Sequence, residues 1–259
     1  MDLSPAYVAS DAHLGATSPS RAEAFCEWLA WAGGRASSIV INGDLFDFWF
    51  EYASVIPRGY TRTLGMLARV VDAGVPVHFL GGNHDWWGGS YLTDEIGVQF
   101  HAEPVRLELA GHRCLIAHGD GLGSGDLRYR FLRGVLRSRT ARWGFRWIHP
   151  DIGAAVARRV SRTKPRTAGP PNAESTRAAE LERWARGVLL GKDAPDVVLL
   201  GHTHVPTCVE VAPGRHYLNS GDWLHHNSYV VLPSGEAPYL ARWEDGSEVT
   251  GVRVGSVTR

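Results

Sequence analysis

No apolar run in this sequence approaches the ~18 residues that would suggest a membrane-spanning helix. Its opening residues, Met1-Asp2-Leu3-Ser4-Pro5, lack the basic region and apolar stretch of a secretory signal, so none is expected. Cysteine is scarce: Cys26, Cys114 and Cys208 are far apart and form no CxxC. So sparse and odd a set argues for reduced thiols and against a disulfide framework or a cysteine-bound structural zinc. Net charge is missing too, with 27 basic against 27 acidic side chains, so bulk charge gives no reason to expect nucleic acid as a partner. There is no internal repeat and no long low-complexity tract. A cytoplasmic protein is expected. With 259 residues and 44% hydrophobic side chains, the chain is long enough for a proper core, read as a single domain over 1–259.

What is present is a series of five short motifs. They are Asp11-Ala12-His13, Gly43-Asp44-Leu45-Phe46-Asp47, Gly82-Asn83-His84-Asp85, His118-Gly119-Asp120 and Gly201-His202-Thr203-His204. Each ends an apolar run: Tyr7-Val8-Ala9, Ile39-Val40-Ile41, Val77-His78-Phe79-Leu80, Leu115-Ile116-Ala117 and Val197-Val198-Leu199-Leu200. Such runs suit strands buried on both faces, and open sheets gather ligands at the carboxyl ends of their strands. One DxH or one HxH alone is more often ordinary core or surface. Five in series describe a metal site.

Helical spacing separates the runs. Phe25, Trp28, Leu29 and Ala32 share a face over 21–32, as do Leu64, Leu67 and Val71 over 60–73. Strand-helix alternation of this kind predicts an α/β start with right-handed crossovers. After His204 the pattern shortens. Thr207 to Val211, His216 to Asn219, Tyr229 to Leu232, Ala237 to Trp243 and Val249 to Val254 read as antiparallel strands. The stretch 122–187 interrupts the scheme. Helical spacing recurs there at Leu127, Phe131 and Val135, at Trp143 and Trp147, and at Ile152, Val156 and Val160. A proline-bearing loop over 163–172 and a helix over 173–190 follow. This reads as a helical insertion covering the site. Between Gly121 and Arg166 it holds twelve Arg or Lys against two Asp, a net of +10 that the rest of the chain balances. Such asymmetry points to an anionic ligand or surface.

Strand residues i and i+2 point the same way. Asp11 with His13, and His202 with His204, can each aim two donors at one place. Asp44, with two carboxylate oxygens, is the candidate bridge between two ions. Asn83 adds an amide oxygen and His118 a further imidazole. Such a set suits Mn²⁺, Fe²⁺ or Zn²⁺ better than Ca²⁺. Two ions ~3.5–4 Å apart would clamp a phosphoryl group and lower the pKa of a bridging water, predicting in-line hydrolysis by metal-bound hydroxide.

The five motifs together resemble those of the calcineurin-like metallophosphoesterases. The resemblance covers residues 6 to about 231 and implies a four-layer α/β/β/α sandwich with a dinuclear centre, here expected to hold Mn²⁺. By motif, it implies that Asp11, His13, Asp44 and His204 hold one metal, and Asp44, Asn83, His118 and His202 the other. His84 matches a histidine that contacts phosphate and protonates the leaving group, with Asp47 or Asp85 orienting its ring.

The insertion narrows the substrate. Its Arg128, Arg130, Arg133, Arg137, Arg139, Arg142 and Arg146 accompany Trp143 and Trp147, a combination that suits a phosphorylated head group and an apolar or membrane surface. Trp49, Trp86 and Trp87 follow metal motifs and are candidates for the same cleft. His118-Gly119-Asp120-Gly121-Leu122, with Asp126 and Tyr129 beyond, resembles the UDP-2,3-diacylglucosamine diphosphatases of lipid A synthesis. That resemblance implies release of UMP and 2,3-diacylglucosamine 1-phosphate at the inner membrane face, with Tyr129, Arg158 and Lys164 on the substrate. One position departs: many members of that subfamily carry Arg where this chain has His84. A pyrophosphate leaving group needs no general acid, whereas an alkoxide gains ~10²–10⁴-fold from one. A soluble phosphoesterase acting on a nucleotide or other small phosphomonoester or diester is therefore the alternative.

Overall fold

The structure, a computed structural model, describes residues 4–123, 127–160 and 171–250. The chain opens as β1 (Ala6–Ala9), α1 (Pro19–Gly33), β2 (Ser38–Asn42), α2 (Thr61–Asp72) and β3 (Val77–Leu80). A π-helical turn, Tyr91–Glu95, leads to β4 (Gln99–His101), and β5 (Val105–Leu109) and β6 (His112–Ile116) follow. Four helices come next: α3 (Leu127–Leu136), α4 (Arg139–Phe145), α5 (Pro150–Val160) and α6 (Pro171–Leu189). The chain then forms β7 (Val197–Leu200), β8 (Thr207–Ala212), β9 (Arg215–Asn219), β10 (Ser228–Leu232), β11 (Tyr239–Glu244) and β12 (Ser247–Thr250).

Two sheets result. One has the order β12-β11-β10-β1-β2-β3-β4 and the other β5-β6-β7-β9-β8. β1 to β4 run parallel, and β10 pairs antiparallel with β1, Tyr7 opposite Val231. Alternation along each buried strand divides its side chains between two cores. Tyr7, Ala9, Ile39 and Ile41 face α1 and α2. Ala6, Val8 and Val40 face the second sheet, meeting Cys114, Ile116, Val197 and Leu199. On the far side of that sheet, Leu181, Ala185 and Leu189 of α6 pack on Val198, Leu200 and Tyr217. The layering is α/β/β/α. α1 begins where Ser18 accepts from the Arg21 amide and Pro19 opens the first turn, a capping pattern that satisfies an otherwise unpaired donor.

Three expectations are adjusted. β9 runs antiparallel to β8 but parallel to β7, because it must extend the second sheet. β4 and β5, which carry no motif at their ends, are added to the expected strands; in β5 Val105, Leu107 and Leu109 alternate with Arg106 and Glu108. And α6 forms an outer layer of the sandwich, so within 122–187 the helices that stand off the core are α3 to α5. Their spacing is helical, as read, but the apolar faces point outward. Phe131 is 76%, Trp143 66% and Trp147 77% exposed. Contacts with the core tether them. Arg133 and Arg137 pair with the buried Asp120 carboxylate at 3.3 and 3.0 Å, and Phe145 packs on Phe50 and Trp87 with centroids at 4.6 and 5.1 Å.

Candidate metal centre

The loops after β1, β2, β3, β6 and β7 converge at one edge of the sandwich, and their local conformations are unusual. Asp11, His13, Asp44, His202 and His204 all have positive φ, between 43 and 67°. Non-glycine residues rarely adopt that region, and such outliers collect at functional sites. Close packing accompanies the strain. A Cβ on Gly82 would stand 2.1 Å from Asp44 Oδ1, so only glycine lets the third loop approach the second.

Three groups of donor atoms could each hold a metal ion, with every atom in a group within 4.8 Å of the others: Asp11, His13 and His204; His13, Asp44 and His84; and Asp44, His118 and His202. Asp44 belongs to two of them. The donors are buried, except that His84 and His202 are half-buried. Their ring orientations follow from their outer partners. His118 Nδ1 donates to the Asn42 carbonyl at 2.8 Å, leaving Nε2 3.3 Å from Asp44 Oδ2. His204 Nδ1 sits 3.1 Å from Asp222 Oδ2, leaving Nε2 3.2 Å from Asp11 Oδ1. His84 Nδ1 donates to the Asp47 carbonyl at 2.7 Å.

Charge is distributed to match. Burial disfavours ionised Asp44, yet His118 and His84 outweigh it and hold the carboxyl well below its usual range. Burial likewise opposes charge on His204, but Asp11 and Asp222 raise that imidazole to about 9. Burial lowers His13 and His202 to about 4, with Asp44 pulling the other way in both. The donor set therefore sets ionised carboxylate against imidazoles of two kinds: His13 and His202 are held neutral, the form that binds metal, while the carboxylates raise His204 and His118, whose protons a bound cation would displace. Two further observations fit divalent ions. Asp11 Oδ1 and His118 Nε2 are buried without a hydrogen bond among the described residues, a state that costs free energy unless something satisfies it. And His13 Nε2 and His204 Nε2 lie 3.3 Å apart, near enough to serve one cation.

The remaining site candidates fall less closely together. Asn83 is exposed in the turn after β3, beside His84. Asp47 lies in the cluster, its Oδ1 3.7 Å from His84 Nδ1 and 3.9 Å from His13 Nδ1, but it is the Asp47 backbone that receives the His84 hydrogen bond. Asp85 does not orient that ring. Its carboxylate accepts from the amides of Asp44, Leu45, Phe46 and Gly82 and so binds two loops together. Trp49 is fully buried against Phe46 and Tyr60, in the core. Lys164, and the side chains of Tyr129 and Arg158, lie outside the described residues. Two residues outside the five motifs stand behind these candidate donors: Asp222 behind His204, and Ser10, which donates to Asp11. Asp222 lies in Gly221-Asp222-Trp223, which has no ligand spacing to mark it.

Paired aspartates and histidines around a shared carboxylate, at the strand ends of an α/β/β/α sandwich, define a metal-dependent hydrolase. Comparison with known proteins gives the family. Residues 4–206 match the calcineurin-like phosphoesterase family, and the chain belongs to it. It is similar to the UDP-2,3-diacylglucosamine hydrolase of Porphyromonas gingivalis, 35% identical over 260 residues that cover 92% of this chain and 97% of that protein. The proteins of the same name from Bordetella pertussis and Aeromonas hydrophila are 30% and 26% identical, over 83% and 88% of this chain and 80% and 94% of theirs.

Proposed function

We propose that this chain hydrolyses the pyrophosphate bond of UDP-2,3-diacylglucosamine, releasing UMP and 2,3-diacylglucosamine 1-phosphate. The named relatives support this substrate. The observation that carries the reading in the fold is a cavity of about 780 Å³ with Asp47 in its wall, whose Oδ1 lies 3.7 Å from His84 and 3.9 Å from His13. Phe48, Tyr52, Ile56 and Tyr60 wall it on one side and Pro150 and Ala154 of α5 on the other. A mostly apolar cavity opening onto a polar, charged end suits a ligand with acyl chains and a phosphate head.

Asp11, His13, Asp44 and His204 would hold one divalent ion, and Asp44, His118, His202 and Asn83 the second, with Mn²⁺ the proposed occupant. Bound there, two such ions neutralise phosphoryl charge and make water nucleophilic near neutral pH. The chain's own residues position the rest. His84, held by the Asp47 carbonyl, turns Nε2 toward Asp44 at 3.9 Å. Burial opposes its protonation, but Asp44 raises its pKa above the usual histidine value. It can therefore contact phosphate as a cation or pass a proton to a departing oxygen, with Asp47 beside it. Tyr129, Arg158 and Lys164 are the proposed contacts to the rest of the substrate. No helix among the described residues is long and apolar enough to cross a membrane. Outward-facing Phe131, Trp143, Trp147 and Ile152, beside the arginines of α3 and α4, support a peripheral contact with the inner membrane surface from the cytoplasmic side.

Hydrolysis of UDP-2,3-diacylglucosamine by the Mn²⁺-loaded protein in detergent, with products resolved, tests the proposal. We expect UMP and the acylated sugar phosphate, with turnover abolished in Asp44→Ala. Absence of those products alongside rapid cleavage of simple phosphodiesters would select the second reading, a soluble phosphoesterase of small nucleotides or diesters, which His84 favours because an alkoxide leaving group gains from a general acid.

A further inference from the structure

The two ends of the metal cluster are backed by different chemistry. At one end His204 leans on a carboxylate. Asp222 is fully buried, with Oδ2 3.1 Å from His204 Nδ1. Its Oδ1 accepts from the amides of His225 and His226 at 2.9 and 3.0 Å and meets His226 Nδ1 at 3.0 Å. The same loop also grips Asp11. The Trp223 amide donates to the Asp11 carbonyl at 3.2 Å, and Ser220 Oγ lies 2.6 Å from the Ser10 hydroxyl that donates to Asp11 Oδ2. At the other end, His118 leans on the neutral Asn42 carbonyl at 2.8 Å.

A carboxylate behind a ligating imidazole fixes its tautomer, aims its free nitrogen and raises its basicity more than a neutral acceptor does. We propose that Asp222, with His226 behind it, is the positioning residue for His204. It makes the Asp11–His13–His204 group the tighter of two unequal cation positions, the one that fills first. The inference rests on the metal-dependent reading of the site. It requires nothing of the substrate.

Titration of the metal-stripped full chain with Co²⁺, followed by its visible spectrum and by competition with a chelator, measures both positions without turnover. The wild-type protein is expected to bind in two unequal steps. Asp222→Asn should weaken the tighter step by ~10–100-fold, the usual cost of losing such an outer partner, and leave the weaker step in place. His226→Gln, at a partly exposed position, should produce a smaller loss in the same step and an unchanged melting curve. Equal losses at both steps, or no loss in either variant, would overturn the proposal. Should Asp222→Asn not fold, an unchanged tighter step in His226→Gln is sufficient to sink it. A wild-type chain that takes up no Co²⁺ would instead remove the metal-dependent reading, and this inference with it.

Discussion

Ligand geometry here is set by residues that bind nothing themselves. Gly82 is the clearest case, because any side chain would occupy the place of Asp44 Oδ1. Gly82→Ala should lower metal affinity and activity together by at least tenfold, measured by chelator competition; an alanine variant with wild-type affinity would show that the loop yields. Asp85 is the second case. Burial, with Asp44 nearby, raises its pKa to about 7, yet four amides depend on it. Asp85→Ala leaves those donors buried and unpaired, at ~1–3 kcal/mol for each that water cannot reach, and should appear as a large fall in the melting temperature. His84 bears on chemistry rather than assembly. His84→Ala should slow diesters with alkoxide leaving groups by ~10²–10⁴-fold and pyrophosphates less. Equal losses on both would assign it to phosphate binding alone.

At the scale of elements, α3 to α5 combine tight anchors with an exposed outer face. Arg137 stacks over Trp86 at 4.8 Å while pairing with Asp120, and the Trp87 ring nitrogen donates to the Leu136 carbonyl at 3.1 Å. These fasten one side of α3 to the metal-bearing loops. The other side leaves Phe131 and Val135 in solvent, and α4 does the same with Trp143. Since these side chains are already exposed, Trp143→Ser with Trp147→Ser should leave the melting temperature within about a degree. Sedimentation with vesicles containing anionic lipid should fall severalfold. Unchanged sedimentation would confine the apolar face to substrate.

Over the whole molecule, neutrality hides a division of charge, with a net +10 between residues 121 and 166 set against an acidic remainder. Stability should also depend on pH away from the metal cluster. His78 and His101, neighbours on β3 and β4 with ring nitrogens 3.2 Å apart, are both lowered by burial, and His101 lowers His78 further. The unfolded chain therefore binds more protons than the folded one as pH falls through the ordinary histidine value, and the fold loses stability there. Calorimetric melting between pH 7 and 5 should show the advantage of the wild type over His101→Gln narrowing with acidity. A constant gap would mean that the pair titrates alike in both states.

Much of this was written locally. Apolar runs ending in Asp and His marked five strands and a candidate set of donors, because near-continuous apolar runs suit strands buried on both faces and i, i+2 spacing aims two side chains together. The four-layer architecture was what the resemblance carried by those motifs implied. Tertiary structure alone decided which partner stands behind each imidazole, since Asp222 reaches His204 from another strand connection and Asn42 meets His118 across two sheets. It also decided that Trp49 is core, that Asp85 serves backbone amides, that α6 is a layer of the sandwich and that the apolar faces of α3 to α5 look outward. Periodicity marks a helix's face; what that face meets depends on residues distant in the chain.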